Sequence, residues 1–318
     1  MLDPELTTAG STGSAVGYAR RSPTVVAVGL VRACRPKQWT KNVLLFFGLI
    51  FALKLTNLAL DQRAIYGFVV FCAASSGIYL LNDLSDVEKD RQHPKKRNRP
   101  LASGLIRPVE AVALAVLLLS AAFIASFVLG PVFCALTVGY VGLMSLYTTH
   151  LKNVVLIDLF VLAAGFVIRA AAGAVVVGVP ISPWLYVCTI LASLFLALGK
   201  RRNELLLLSG GAGQHRRILE EYSLPFLDQM IVIVTSATVM AYSLYTFSAD
   251  NLPRDHSMML TIPFVLYGIF RYLYLMHQRD GGGSPEEALL TDRPLLVCVI
   301  AWLATAVAVL YAARLTLP

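Results

Sequence analysis

Residues 82 to 100 carry most of the chemistry legible in this chain. They read Asn82-Asp83-Leu84-Ser85-Asp86-Val87-Glu88-Lys89-Asp90, and then Arg91-Gln92-His93-Pro94-Lys95-Lys96-Arg97-Asn98-Arg99-Pro100. An acidic cluster and a basic cluster stand back to back at the end of a long apolar run. On a helix, Asn82, Asp86 and Asp90 are each four apart and form one stripe, with Asp83 beside it. Oxygen ligands at that spacing suit Mg²⁺, which is usually held by one or two carboxylates together with substrate phosphates. Lys96, Arg97 and Arg99 suit the phosphate oxygens themselves. The whole segment reads as a metal–diphosphate site at a membrane face. A solvated, capped helix end is the plain alternative.

Other cations and carboxylates are spread along the chain. Lys37 and Lys41 lie four apart, so one helical turn presents both to a phosphate; the alternative is charge anchoring, with Trp39 in the interfacial belt. Tyr79 lies one turn before Asp83. Tyr147, His150 and Lys152 lie in one short loop, where Lys152, its only Lys or Arg, reads equally as a substrate contact or as a plain topology signal. Asp158 and Arg169 share a helix but lie eleven residues apart, about 16 Å at 1.5 Å per residue, so they are not a direct pair. Intramembrane charges are functional candidates by default. Asp158, near a helix end, is read that way, and Arg169, deeper among small residues, is read as structural. Lys200, Arg201 and Glu204 form a third charged stretch.

These residues need a scaffold within a bilayer. The 318 residues are 57% hydrophobic and only 14% charged, against about 25% charged in ordinary soluble domains. The pattern predicts an all-α integral membrane protein with about nine spanning helices near 42–58, 64–82, 109–128, 131–148, 154–177, 183–199, 228–248, 258–276 and 294–313. Of the 27 Lys and Arg residues, 21 fall on one side of this topology, four on the other and two within spans. By the positive-inside rule, the N-terminus and the long polar loops are cytoplasmic and the protein is a multi-pass protein of the cell membrane. The net charge of +8 therefore reports topology plus an anion site. Its basic residues are divided among short loops, with no groove-reading module, which speaks against nucleic acid. Five scattered cysteines support neither a disulfide framework nor a zinc site. Residues 1–30, rich in Ser, Thr, Gly and Ala, read as a disordered tail without a signal-peptide pattern, and 31–318 as one catalytic membrane domain.

The pattern at Asn82, Asp83, Asp86 and Asp90, followed by its basic run, resembles the first aspartate motif of the UbiA superfamily of intramembrane prenyltransferases. Aromatic prenyltransferases of that superfamily carry a second pair of aspartates four apart between the sixth and seventh helices. Here that segment reads Gly199-Lys200-Arg201-Arg202-Asn203-Glu204, then a glycine-rich stretch, with no two carboxylates four apart. A cationic segment in its place implies a substrate that brings its own anion.

This departure, with Arg35-Pro36-Lys37-Gln38-Trp39-Thr40-Lys41-Asn42 and Lys95 to Pro100, is similar to the branch of decaprenyl-phosphate phosphoribosyltransferases. The resemblance implies a UbiA-type helical bundle with a cytoplasmic polar cap. It implies phosphoribosyl diphosphate and a polyprenyl phosphate lipid as partners, and a product used for cell-wall arabinan. It implies Mg²⁺ held by Asn82, Asp86 and Asp90 with Asp83 assisting, and Asp83, Asp86 and Asp90 as the catalytic carboxylates. The substrate contacts it implies are Lys37, Lys41, Tyr79, Lys96, Arg97, Arg99, Tyr147, Lys152, Asp158, Lys200, Arg201 and Glu204. Related enzymes also imply self-association into a homo-oligomer. The lipid phosphate is ionised at neutral pH, so no general base is required. An aromatic prenyltransferase is the competing reading. An ion transporter fits less well, because transporter carboxylates sit near the midplane between broken helices.

Overall fold

The computed structural model describes residues 22–92, 96–181, 183–209, 217–249, 252–279 and 285–316. Among these the chain is helical, with no strand. Helix α1 (Pro23–Ala33) begins inside the stretch read as a tail, and buries Gly29 and Ala33. A 3₁₀ helix (Pro36–Leu44) runs into α2 (Leu45–Phe51). Then come α3 (Leu58–Ser85), the short α4 (Val87–Gln92), α5 (Pro108–Leu129), α6 (Pro131–Thr149), α7 (Ile157–Val176), α8 (Pro183–Ser209), α9 (Leu224–Ser248), α10 (Ile262–Gln278), α11 (Pro285–Thr291) and α12 (Arg293–Thr316).

The helix starts follow from local chemistry. Asn57 caps α3, its Oδ1 accepting from the Ala59 and Leu60 amides at 3.1 and 3.3 Å. Proline opens α5 and α6, where an amide hydrogen would lack a partner anyway. Gly130, at φ +133°, joins these two helices without a longer loop.

Among the described residues, eight helices are long and apolar enough to cross a membrane, and they correspond to the second through ninth predicted spans. The first predicted span, 42–58, takes a different form. Its segment is broken into a nine-residue 3₁₀ helix and the seven-residue α2. At about 2.0 and 1.5 Å per residue these cover about 28 Å, close to the ~30 Å of a hydrocarbon core. The segment starts where Arg35 pairs with Asp83 at the C-terminal end of α3. It ends where the Leu55 amide donates to the Tyr311 hydroxyl (2.9 Å), just before α3 begins. It thus passes from one end of the bundle to the other.

Close packing explains why this crossing is held despite its short helices. A Cβ on Gly48 would lie 2.8 Å from the Ala174 Cα, and one on Gly173 would lie 2.2 Å from the Leu45 carbonyl oxygen. α2 and α7 thus touch backbone to backbone, as small residues allow in membranes. Helix α7 is central. Leu159 and Ala163 join a core with α8, α9 and α10, while Ala172 and Val176 join a second core with α2, α3 and α6.

Within α7, Arg169 is buried and donates to Asn42 Oδ1 (2.7 Å), the Gly165 carbonyl (2.8 Å) and the Tyr140 hydroxyl (2.7 Å). It bears out the structural reading and ties the first crossing to α6 and α7. Far from the acidic motif, Arg63 donates to the carbonyls of Val176 and Leu129, pinning the ends of α5 and α7 to the start of α3.

Candidate active site

One end of the bundle gathers the C-terminal end of α3, α4, the start of α7 and the C-terminal end of α8. Helix α3 stops at Ser85, and Asp86 is its C-cap at φ −103°, ψ 9°. The expected stripe of Asn82, Asp86 and Asp90 is therefore not carried on one unbroken helix. Single i→i+4 bonds persist across the break, from the Asp86 amide to the Asn82 carbonyl (3.0 Å) and from the Asp90 amide to the Asp86 carbonyl (2.8 Å). The consequence is a regrouping of side chains. Asp83 and Asp90, both 3% exposed, face one another across Arg99. Arg99 Nη1 donates to Asp83 Oδ1 at 3.0 Å and to Asp90 Oδ2 at 2.6 Å. Arg35 also pairs with Asp83, and its guanidinium lies 5.0 Å from the centre of the Tyr79 ring. Asp86 points elsewhere, to Lys152 Nζ at 3.4 Å.

Arg99, expected on substrate phosphate, pairs in this structure with two aspartates of the motif. Lys37 and Lys41 stand on a 3₁₀ helix rather than an α-helix. At three residues per turn, position 40 and not 41 lies over position 37, and the Thr40 hydroxyl does bond back to the Lys37 carbonyl (2.9 Å). The two lysines therefore diverge around the helix. Trp39 turns inward, donating to the Ser76 hydroxyl (3.1 Å), instead of lying in an interfacial belt. Lys37 and Arg97 are exposed, whereas Lys41, Lys96 and Lys200 are partly buried. His93, Pro94 and Lys95 lie outside the described residues.

A second cluster stands where α7 and α8 meet. Asp158 and Arg201 are 0% and 1% exposed, and Arg201 Nη2 donates to Asp158 Oδ2 at 2.5 Å. Arg201 also pairs with Glu204 and interacts with Tyr147, while its Nε has no hydrogen-bond partner among the described residues. Asp158 and Arg201, both expected on substrate, pair with each other inside the protein.

Tyr222, from the segment between α8 and α9, completes the cluster. Its hydroxyl donates to Asp158 Oδ1 (2.9 Å) and accepts from the Leu156 amide (2.8 Å). Burial first, and the Asp158 carboxylate as well, push the Tyr222 phenol up to about 12, so it keeps its proton. Neither Tyr222 nor the ion-paired Arg35 was picked out by sequence reasoning. Arg35 stood inside a quoted motif, but Tyr222 carried no local signal, because its partners are more than sixty positions away.

The donor set at the motif fits a hard cation. Oxygens of two different aspartates converge on a single cationic nitrogen of Arg99, which occupies the place a positive centre favours. Among the described residues no group of three or more His, Cys, Asp or Glu forms a closed cage. Mg²⁺ does not require one, since it keeps waters and substrate phosphates as ligands. The arrangement can place an anion's charge against a metal beside the cationic side chains at this end of the bundle.

Comparison with known proteins fits this geometry. The UbiA prenyltransferase family model matches residues 42–203, about half of the chain. The decaprenyl-phosphate phosphoribosyltransferase of Mycolicibacterium smegmatis is 35% identical, across 91% of this chain and 94% of the relative. That of Corynebacterium glutamicum is 36% identical, across 92% and 90%. In three dimensions, a UbiA homolog from Archaeoglobus fulgidus bound to GPP and Mg²⁺ superimposes with a TM-score of 0.68 at 17% identity, over 89% of this chain and 99% of that one. The chain belongs to the UbiA prenyltransferase family, on the branch of the decaprenyl-phosphate phosphoribosyltransferases.

Proposed function

We propose that this membrane enzyme transfers the 5-phosphoribosyl group of phosphoribosyl diphosphate to a polyprenyl phosphate and releases diphosphate. The observation that carries this reading is similarity, at 35% and 36% identity over 91% and 92% of this chain, to relatives that bear that name. A positive stretch where aromatic prenyltransferases carry their second aspartate pair supports it, since the acceptor then brings its own negative charge.

Asn82, Asp86 and Asp90 would hold Mg²⁺, with Asp83 assisting through its contact with Arg99. When bound, the metal supplies charge neutralisation of the leaving diphosphate. The chain's own residues do the rest. Lys37, Lys41, Lys96 and Arg97 hold the donor's phosphates at the membrane face. Lys152 sits against Asp86 and fixes that carboxylate's direction. Lys200, in the C-terminal half of α8, is there for the lipid phosphate. As the bond from C1 to the diphosphate breaks, positive charge develops on the sugar, and the buried carboxylates lower its energy. The lipid phosphate oxygen attacks C1 from the opposite side, inverting it, and needs no proton removed. The acidic end faces the cytoplasm of the cell membrane, on the side rich in Lys and Arg.

The test uses purified full-length protein in detergent with Mg²⁺ and labelled phosphoribosyl diphosphate, with and without decaprenyl phosphate. The expected result is butanol-extractable label that requires the lipid and disappears with EDTA. Asp86→Ala should lower the rate at least a hundredfold. Lipid-dependent label that persists in EDTA and in Asp86→Ala would overturn the site assignment.

A further inference from the structure

The turn that carries Lys152 closes on its own backbone, with bonds from the Asn153 and Val154 amides to the His150 and Leu151 carbonyls, and it is tied to the rest of the protein at two further points. One is Lys152 itself, against Asp86. The other is Leu156, the residue before α7, whose backbone has φ +65° and ψ −41°. That conformation is close to the strained γ-turn and is costly for a branched side chain. Strain of this kind persists only where the surroundings over-determine it. At Leu156 the Tyr222 hydroxyl takes the amide hydrogen and gives its own hydrogen to Asp158. Asp158 in turn holds Arg201. Ile218, Leu219 and Tyr222 are all buried in the core shared by α7 and α8, so the segment bearing the hydroxyl is itself anchored. The Tyr222 ring also stacks on Phe226, with centroids 6.4 Å apart.

We infer that Tyr222 is a positioning residue: it latches residues 217–222, ahead of α9, onto Leu156, and so sets where the turn ending there presents Lys152 to Asp86. The inference rests on the proposed phosphoribosyl transfer for its kinetic readout. Its chemistry does not depend on that reading, because the latch joins protein groups only. A latch of this kind acts on the reacting geometry more than on substrate capture. Small misplacements near a reacting centre cost rate far out of proportion to their size.

The experiment compares Tyr222→Phe, Lys152→Met and the double variant with wild type in the transfer assay. Tyr222→Phe keeps the ring and its stacking and removes both hydrogen bonds. The expected result is a kcat lowered about tenfold to a hundredfold, the range for a hydrogen bond to a charged group. The KM for phosphoribosyl diphosphate should change less than about twofold. If Tyr222 acts through Lys152, the double variant loses no more than the worse single one. Leu156→Gly in the Tyr222→Phe background should return part of the rate, since glycine adopts positive φ without the bond. Additive losses, or equal changes in kcat and KM, would overturn the inference.

Hydrogen exchange at the Leu156 amide of the wild-type protein decides the matter where Tyr222→Phe does not fold. Strong protection supports the latch, and exchange at the rate of an open peptide contradicts it. Wild-type protein inactive in phosphoribosyl transfer but protected at Leu156 would sink the proposed function and leave the latch standing.

Discussion

Arg99 shows how a single residue can be visible in a sequence while its task is not. Its place in a basic run after an acidic motif marks it as part of a site. Only the fold shows that its guanidinium is shared by Asp83 and Asp90. Removing one partner of a buried ion pair leaves an uncompensated charge. Arg99→Ala should therefore destabilise the protein by about 3 kcal/mol, read as a lower melting temperature in detergent. Asp90→Asn added to that variant should recover part of the loss, because it removes the carboxylate left without its partner. A double variant less stable than Arg99→Ala would contradict this account of the cluster. The motif residues 82, 83, 86 and 90 were legible because spacing and composition suffice to find them. The pairing was not, because a bend at Asp86 regroups side chains that an ideal helix would keep in one row. Tyr222 was invisible for a related reason: a lone tyrosine in a polar segment acquires meaning only from Leu156 and Asp158.

Among the elements, the long apolar helices followed directly from hydropathy, because twenty apolar residues have few other uses. The first crossing did not. Its 3₁₀ portion contains Asn42, which serves Arg169 by its oxygen and approaches Cys72 and Ser75 with its amide nitrogen. Such polar bonds to neighbouring helices replace the even apolar surface that a hydropathy reading expects. The same crossing depends on a backbone contact that sequence composition does not announce. Gly173→Ala would push a methyl group to 2.2 Å from the Leu45 carbonyl oxygen and 2.6 Å from its Cα. Neither atom can swing aside, so α2 must separate from α7, at a cost of about 1–3 kcal/mol. A Cβ on Gly139, in α6, would meet nothing within 4 Å. Gly139→Ala should thus leave the melting temperature unchanged or raise it slightly, since alanine favours a helix. Equal melting temperatures for the two variants would show that the α2–α7 contact is looser than described.

At the scale of the whole molecule, charge and burial divide the protein into two ends with different work. One end holds the aspartate motif, Lys152, Arg201 and the Tyr222 latch. The opposite end is closed by Arg63 on the carbonyls of α5 and α7 and by Tyr311 on Leu55. The distribution of Lys and Arg predicts a sidedness, because topology and anion binding ask for the same charges on the same face. The substrate was legible only through resemblance: no physical rule turns a cationic stretch at residues 200–202 into a particular acceptor lipid. The most direct measurement is therefore a choice between substrates, with the product identified by mass. Purified protein with Mg²⁺ is given phosphoribosyl diphosphate with decaprenyl phosphate in one vessel, and a prenyl diphosphate with 4-hydroxybenzoate in another. The account predicts decaprenyl phosphate gaining one phosphoribosyl group in the first vessel and no new compound in the second. A prenylated aromatic acid from the second vessel, with unchanged lipid in the first, would contradict it.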